Sequence, residues 1–338
     1  MARLPGPGSI EAFPGPGTAR VMCMATRQPG KHAASTTAPL RVIARYGSEV
    51  DVLDTRQRVQ QRARLRRKTD DVVCGDRVFL EATEAAVARR ADRHNQLTRR
   101  DVSNRPRTIA ANIDRVWIVI APRPEVPSFL VDRFLAGIVN LPAQPGILVN
   151  KWDRADLQRP AAFDALLENY RCLNLDLLRV SAHTGYGLDR LRTAARGHSN
   201  ILVGQSGVGK SSLIQALLPR EELRIGNLGH SGEGRHTTTT ARWYEAEGGA
   251  WIDSPGVRDF TPEISSTAEL VRGFPDLAAF AERCRFRDCT HRAEPGCAVT
   301  VAVADGGLPA HRLEAWHELL QEIGAGGRLM PGNRGARR

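Results

Sequence analysis

The chain has no apolar run that approaches the ~18 residues a membrane-spanning helix needs. Its longest clear one, Val116 to Ala121, has the length of a strand. No 7–15-residue apolar stretch follows the basic residues of the N-terminus, so a secretory signal is not expected. Aromatic side chains are scarce, at 5%, and lysine nearly missing, at four of 48 basic residues. Six cysteines in 338 residues are too few and too uneven for a disulfide scaffold. These absences exclude helical membrane proteins, collagen and disulfide-stapled secreted domains. What is there is 41% hydrophobic and 25% charged, a globular composition in a length that suits two or three domains.

Positive charge is abundant and unevenly spread. The net charge is +11, and residues 1–107 carry 21 basic and 11 acidic side chains. Residues 108–338 carry 27 and 26. A near-neutral body behind a basic front implies a polyanion-binding module, with nucleic acid the expected partner. A genome rich in arginine codons would explain Arg over Lys, but not where the excess sits.

Residues 1–38 are rich in Pro, Gly, Ala, Ser and Thr, with PGPG twice, and are expected to be disordered. From Leu40 the segments LRVIARY, EVDVLDT, QRVQQRARLRR and GDRVFLEAT, several alternating and broken by Gly or Asp turns, predict a small β-barrel. Arg56, Arg58, Arg62, Arg64, Arg66, Arg67 and Lys68 lie within it, and a second basic stretch from Arg89 ends in a linker-like NRPR at Arg107. Tyr46 and Phe79 are its aromatics, so phosphate contacts should outweigh base stacking. From Ala110 to about Pro262 apolar strands (IDRVWIVIA, GILVN, LLRVSA, NILVG, AWIDSP) alternate with helical stretches, the pattern of a parallel sheet covered on both faces. A helical, cysteine-containing segment follows, closed by PAHRLEAWHELLQEI.

Gly204-Gln205-Ser206-Gly207-Val208-Gly209-Lys210-Ser211 matches G-x-x-x-x-G-K-[ST], between the strand NILV and a helix opening with Ser211 and Ser212. The glycines let backbone N–H groups curl round a phosphate, Lys210 supplies a compact charge and Ser211 a hydroxyl for Mg²⁺. Asn150-Lys151-Trp152-Asp153, after the strand GILV, is an NKxD element. Its Asp can accept from guanine N1–H and the 2-amino group, a donor pair that adenine lacks. Ser181-Ala182 fits a loop whose backbone N–H meets guanine O6. Asp253-Ser254-Pro255-Gly256 is a DxxG, with Asp253 expected to hold Mg²⁺ through water and Gly256 to meet the γ-phosphate. The run Thr237 to Thr240 lies where a switch segment belongs, and one of its threonines would bind Mg²⁺.

The order of these motifs is NKxD, SA, P-loop, Thr run, DxxG, whereas the common GTPase order starts at the P-loop. This is a circular permutation, possible because chain ends of compact domains often lie close together. It places DxxG beside the C-terminal segment, so switch movement is expected to reach that segment. Val257 follows DxxG and cannot orient a water as a Gln would. His236 is the candidate for that task; a solvated loop histidine is the bland alternative. Farther on, Cys284, Cys289, His291 and Cys297 read C-x4-C-x-H-x5-C, a closed set for one structural zinc.

NKWD, SAHTGYG, GQSGVGKSSL, GRHTTTTA, WIDSPGVRDF and CRFRDCTHRAEPGC together resemble the RsgA (YjeQ/YloQ) family of small-ribosomal-subunit GTPases over about residues 40–325. The resemblance implies an α/β P-loop GTPase domain, circularly permuted, with an N-terminal OB-type β-barrel and a C-terminal helical zinc-binding domain. The implied division is 39–108 RNA-binding OB-fold, 109–268 GTPase domain and 269–325 zinc domain; the Pro/Gly-rich extension 1–38 and the Gly/Arg-rich loose tail 326–338 depart from the family pattern. It also implies GTP hydrolysis stimulated by the ribosome, binding to the 30S subunit and 16S rRNA during late maturation, and a cytoplasmic location away from membranes. A monomer is expected. Thr238 is the favoured Mg²⁺ ligand of the threonine run, Thr237 the next. The competing reading is a GTP-gated RNA-binding scaffold with negligible catalysis, kept open by Val257.

Overall fold

A computed structural model describes residues 38–100, 105–154, 160–218, 241–246, 248–253, 264 and 266–324. Residues 1–37 of the expected extension, the 326–338 tail, His236, Thr238 and Gly256 lie outside the described residues.

The front of the chain forms β1 (Leu40–Tyr46), β2 (Glu49–Asp54), β3 (Val59–Arg64), β4 (Arg77–Leu80) and β5 (Val87–Arg90). Strands β1, β2 and β3 pair antiparallel in sequence, and β4 pairs with both β1 and β5. A parallel bridge between Arg64 and Ala86 brings the β5 end back to β3, so the pairing closes on itself. Val42, Val50, Val52, Ala63, Val78 and Val87 fill the interior. Several alternate along their strands with polar residues, the period a half-buried sheet requires.

Two further strands follow, β6 (Gln96–Arg100) and β7 (Pro106–Ala111), paired as a separate antiparallel ribbon. The linker-like end of the second basic stretch is thus strand at Pro106 and Arg107. Pro106 opens β7, the strand position where a missing N–H costs least. A division at 108/109 falls inside β7.

The central sheet is built from β8 (Arg115–Ile120), β9 (Gln144–Val149), β10 (Asp176–Arg179), β11 (Ser199–Val203), β12 (Arg242–Ala246) and β13 (Gly249–Asp253). In the order β10-β9-β8-β11-β13 these strands are parallel, and β12 adds antiparallel to β13. Both faces are covered, as the near-continuous apolar strands predict. Val116, Ile118 and Ile120 of β8 face α1 (Leu130–Ile138) and α2 (Ala161–Glu168). The alternate residues Trp117 and Val119 face α3 (Leu188–Ala195) and α4 (Lys210–Leu217). Strand β12 also pairs with β1 at Arg242 and Ala44, merging barrel and central sheet into one 11-stranded sheet.

The C-terminal lobe holds α5 (Thr267–Arg272), α6 (Pro275–Ala281), α7 (Ala298–Ala304) and α8 (Ala310–Gly324) around Phe274, Leu277, Val299, Trp316 and Leu319. The Ser266 side chain caps α5 by accepting from the Glu269 N–H at 3.2 Å. Helix α1 is buried along its whole length because this lobe covers the side the sheet does not. A side chain at Gly273 would meet the Ala136 Cα at 2.3 Å, so only glycine allows the two helices to approach this closely. Among the described residues no helix is long and apolar enough to cross a membrane.

Candidate nucleotide site and metal centre

Three of the sequence motifs meet at the carboxyl ends of β9, β10 and β11, although 58 residues separate Asn150 from Val208. The Asn150 carboxamide is 1% exposed. Its Nδ2 donates to the Val208 carbonyl at 2.8 Å, and its Oδ1 accepts from the Ala182 N–H at 3.2 Å. One side chain therefore ties NKxD to both the P-loop and the Ser181-Ala182 loop. Lys151 donates through Nζ to the carbonyls of Gly207 at 2.6 Å and Arg123 at 3.0 Å.

The P-loop glycines Gly204, Gly207 and Gly209 have φ of +134°, +81° and +94°, which L side chains rarely adopt. A Cβ on Gly209 would also lie 2.4 Å from Asn150 Nδ2. Gly209 opens α4, whose first turn carries Lys210, Ser211 and Ser212. Lys210 is 7% exposed and donates to the Gly204 and Gln205 carbonyls at 2.6 and 2.7 Å. Ser206 is exposed, Val208 buried, and Ser211 half-buried. A buried ammonium beside the amide groups of a helix start makes an anion site.

Asp153 accepts from the Ser181 hydroxyl at 2.6 Å, and Ser181 Oγ in turn accepts from the Thr184 N–H at 3.1 Å. Its second oxygen lies 3.8 Å from His183 Nδ1. A carboxylate held at a loop edge by a serine fits planar recognition of two N–H donors. The Trp152 N–H donates to the Val180 carbonyl, and the Arg179 guanidinium stands 4.7 Å over the Trp152 ring. Asp253 closes β13, in register with Arg242. Asp253 thus stands at the same end of the sheet, two strand positions from β8.

The segment between β8 and α1 shapes the site without a sequence signature. Gln205 Nε2 donates to the carbonyls of Pro124 and Glu125 at 3.2 and 2.9 Å. These are backbone contacts, so residue types there carry no signal beyond a Pro-rich loop.

In the C-terminal lobe the ligand atoms of Cys284, Cys289, His291 and Cys297 lie within 4.8 Å of one another. The three cysteines are free of disulfides. Cys284 and Cys297 Sγ are 3.9 Å apart, and each lies 3.6 Å from His291 Nδ1. A tetrahedral zinc with Zn–S about 2.3 Å and Zn–N about 2.0 Å requires edges of about 3.8 and 3.5 Å. The residues fit such an ion. Burial lowers the His291 pKa, favouring the neutral imidazole a ligand must be. Glu294 stiffens the intervening loop by accepting from Thr290 Oγ1 and from the N–H groups of Thr290, Arg292 and Ala293. Those hydrogen bonds, the Thr290 hydroxyl first, lower its carboxyl pKa to about 2.

A second cluster joins the lobe to α1. Asp132, fully buried, accepts from Arg312 Nη1 at 2.5 Å and from the Tyr170 hydroxyl at 2.7 Å, with His311 Nε2 at 3.1 Å. Arg312 also forks onto Asp276 at 2.8 and 2.9 Å. Burial alone would raise the Asp132 pKa; hydrogen bonds from His311 and Tyr170 and the Arg312 charge bring it below the usual value. Nothing in the sequence pattern singles out these residues.

Residues 90–263 match the family model for the RsgA GTPase. The chain is 41% identical over 288 residues to the small ribosomal subunit biogenesis GTPase RsgA of Pseudomonas aeruginosa, covering 84% of this chain and 85% of that protein. It is 39% identical over 290 residues to the protein of the same name from Azotobacter vinelandii, covering 83% and 84%. The crystal structure of YjeQ from Thermotoga maritima superposes with a TM-score of 0.67 at 28% identity, over 85% of this chain and 98% of that one. YloQ, described as a circularly permuted GTPase, shares the fold at a TM-score of 0.66 and 24% identity, over 91% and 100%.

Proposed function

The chain belongs to the RsgA GTPase family and is a GTP-hydrolysing enzyme, and from that we propose that it spends GTP in maturing the small ribosomal subunit. The observation that carries the reading is the Asn150 side chain, which draws the NKxD, SA and P-loop elements into one site despite their permuted order.

We assign Asp153 to the guanine N1–H and 2-amino donors, and the Ala182 N–H loop to guanine O6. Asn150, Lys151 and Trp152 hold that loop set in place. Gly204 to Gly209, with Lys210, Ser211 and Ser212, take the phosphates. Mg²⁺ would be held by Ser211, by Asp253 through water and by Thr238, and would neutralise charge on the β- and γ-phosphates. Gly256 would meet the γ-phosphate, and His236 would orient the attacking water in place of the glutamine that Val257 replaces. The metal of the C-terminal lobe is zinc, one per chain and structural, since four protein ligands leave no open position. The closed five-strand pairing is of OB type, and 39–108, 109–268 and 269–325 act as barrel, GTPase and zinc domains. The barrel meets 16S rRNA, and the protein works as a cytoplasmic monomer.

The test is phosphate release from GTP with and without purified small subunits. Stimulation by small but not large subunits is expected. No release under either condition would leave the scaffold reading instead.

A further inference from the structure

The barrel and the central sheet enclose a cleft of about 510 Å³ at the amino ends of β11 and β13, across the sheet from the P-loop. Its walls include Arg41, Arg58, Arg77, Asp114, His198 and Trp243. A smaller cavity beside it, about 190 Å³, is lined by Arg41 and Arg77 again, together with Arg56 and Asp54.

Arg41 and Arg77 stand directly opposite each other on the antiparallel strands β1 and β4. Like charges in that position destabilise a sheet. Neither arginine forms an ion pair among the described residues. Arg41 donates to the Gly75 carbonyl at 2.6 Å and lies 4.5 Å over the Trp243 ring. Burial and the facing Arg77 push its guanidinium down to about 10. Arg77 is exposed to the cleft.

The carboxylates nearby are committed elsewhere. Asp114 accepts from the Ser199 N–H at 2.7 Å and lies 3.5 Å from His94. Glu245 faces Arg58 at 3.6 Å. Asp54 accepts from the N–H groups of Arg56 and Gln57 in its own turn. The indole N–H of Trp243, whose ring is part of the wall, is buried without a hydrogen-bond partner among the described residues. Two adjacent guanidinium groups that form no ion pair among the described residues, in a cleft of ligand size where barrel and sheet meet, suit a bound anion.

We propose that this cleft is a second phosphate site, distinct from the P-loop, in which Arg41 and Arg77 clamp a phosphate ester. The chemistry serves either a small phosphorylated molecule or one phosphodiester of an RNA strand, and the arms of the test separate them.

The full chain is saturated with GDP, so that the P-loop is filled, and melted in inorganic phosphate against chloride at equal ionic strength. Wild-type protein should gain Tm in phosphate. Arg77→Gln should lose that gain, with at least about a tenfold rise in the phosphate midpoint. In chloride it should melt no lower than wild type, because the substitution removes a repulsion. Arg64→Gln, which removes the same charge from an exposed barrel position, should keep the phosphate gain. A ten-nucleotide single-stranded RNA forms the second arm. Unchanged RNA affinity in Arg77→Gln assigns the site to a small phosphate ester, and a parallel loss assigns it to an RNA backbone. A phosphate gain that survives Arg77→Gln, or a variant that melts lower in chloride, overturns the proposal.

Discussion

The Asn150 carboxamide donates to the Val208 carbonyl while its oxygen accepts from the Ala182 N–H, so a buried asparagine braces the 204–211 loop against the Ser181-Ala182 loop. Replacing it by aspartate sets a carboxylate against a carbonyl oxygen and leaves Val208 unsatisfied. The expected loss is about 1–3 kcal/mol in nucleotide affinity, more with the added charge. Titration with a fluorescent GDP analogue measures it; wild-type affinity in Asn150→Asp would remove the brace.

Asp153→Asn presents an N–H where guanine offers two donors. The expected outcome is a loss of GTP affinity of several kcal/mol with the fold intact, since Asp153 sits in a short loop turn and is only half-buried. Competition between GTP and ATP for the variant reads the specificity directly. Retained guanine preference would contradict the assignment.

Cys297→Ser should lower the bound metal well below the wild-type content and melt the C-terminal lobe before the rest, because a structural metal and its fold form together. Glu294→Gln is the subtler variant. It keeps all four ligands and weakens the loop that spaces them, so faster loss of metal to a chelator is expected at an unchanged starting content. Metal analysis with a chelator time course checks both.

Asp132→Asn leaves Arg312 short of one of its two carboxylates in a buried setting. Breaking such a pair costs about 3–5 kcal/mol, here reduced because Asp276 remains. The folded Asp132 pKa lies below its unfolded value, so its contribution is complete above about pH 4 and fades as pH falls through the lowered pKa. Denaturant midpoints of wild type and variant should therefore converge on acidification below pH 4. A constant gap across that range would rule out the charged form as the stabiliser.

The basic front needs a gentler test than removal. Deleting residues 1–107 would cut β7 and strip β1 from β12. Moreover Arg45, Arg62, Arg66, Arg90 and Arg93 are ion-paired within the barrel. Arg64, Arg67 and Lys68 are exposed and form no ion pair among the described residues. Reversing those three to Glu should flatten the log–log salt dependence of small-subunit binding by about 2–3 units and leave GTP hydrolysis without subunits unchanged. Equal slopes would mean that other surfaces carry the RNA.

The sequence is most readable where chemistry demands fixed spacing. The P-loop, NKxD, SA and Cys/His patterns each announce their residues because phosphate, guanine and metal tolerate few side chains. The parallel strands are legible from continuous apolar runs such as Val116 to Ala121. Legibility fails where the partner is distant in sequence or made of backbone. Arg312 looks like a surface residue on an amphipathic helix until Asp132, 180 residues away, supplies its counter-charge. The ribbon β6–β7 is hidden by its arginines, because edge strands need not be apolar. Lys210 is announced by the P-loop pattern, but its burial on carbonyls of its own loop is not.

The pairing of Ala44 with Arg242 has a mechanical consequence. Strand β12 begins two residues after the threonine run, and β1 is bonded to it. The barrel is thus no pendant arm on a tether. It is a handle welded to the strand that leaves the run, and its bearing is set by strand register, with ~3.3 Å per residue. Whatever grips the handle takes hold of that strand as well, and torque applied to the barrel would arrive, through paired strands, at the Asp253 end of the sheet.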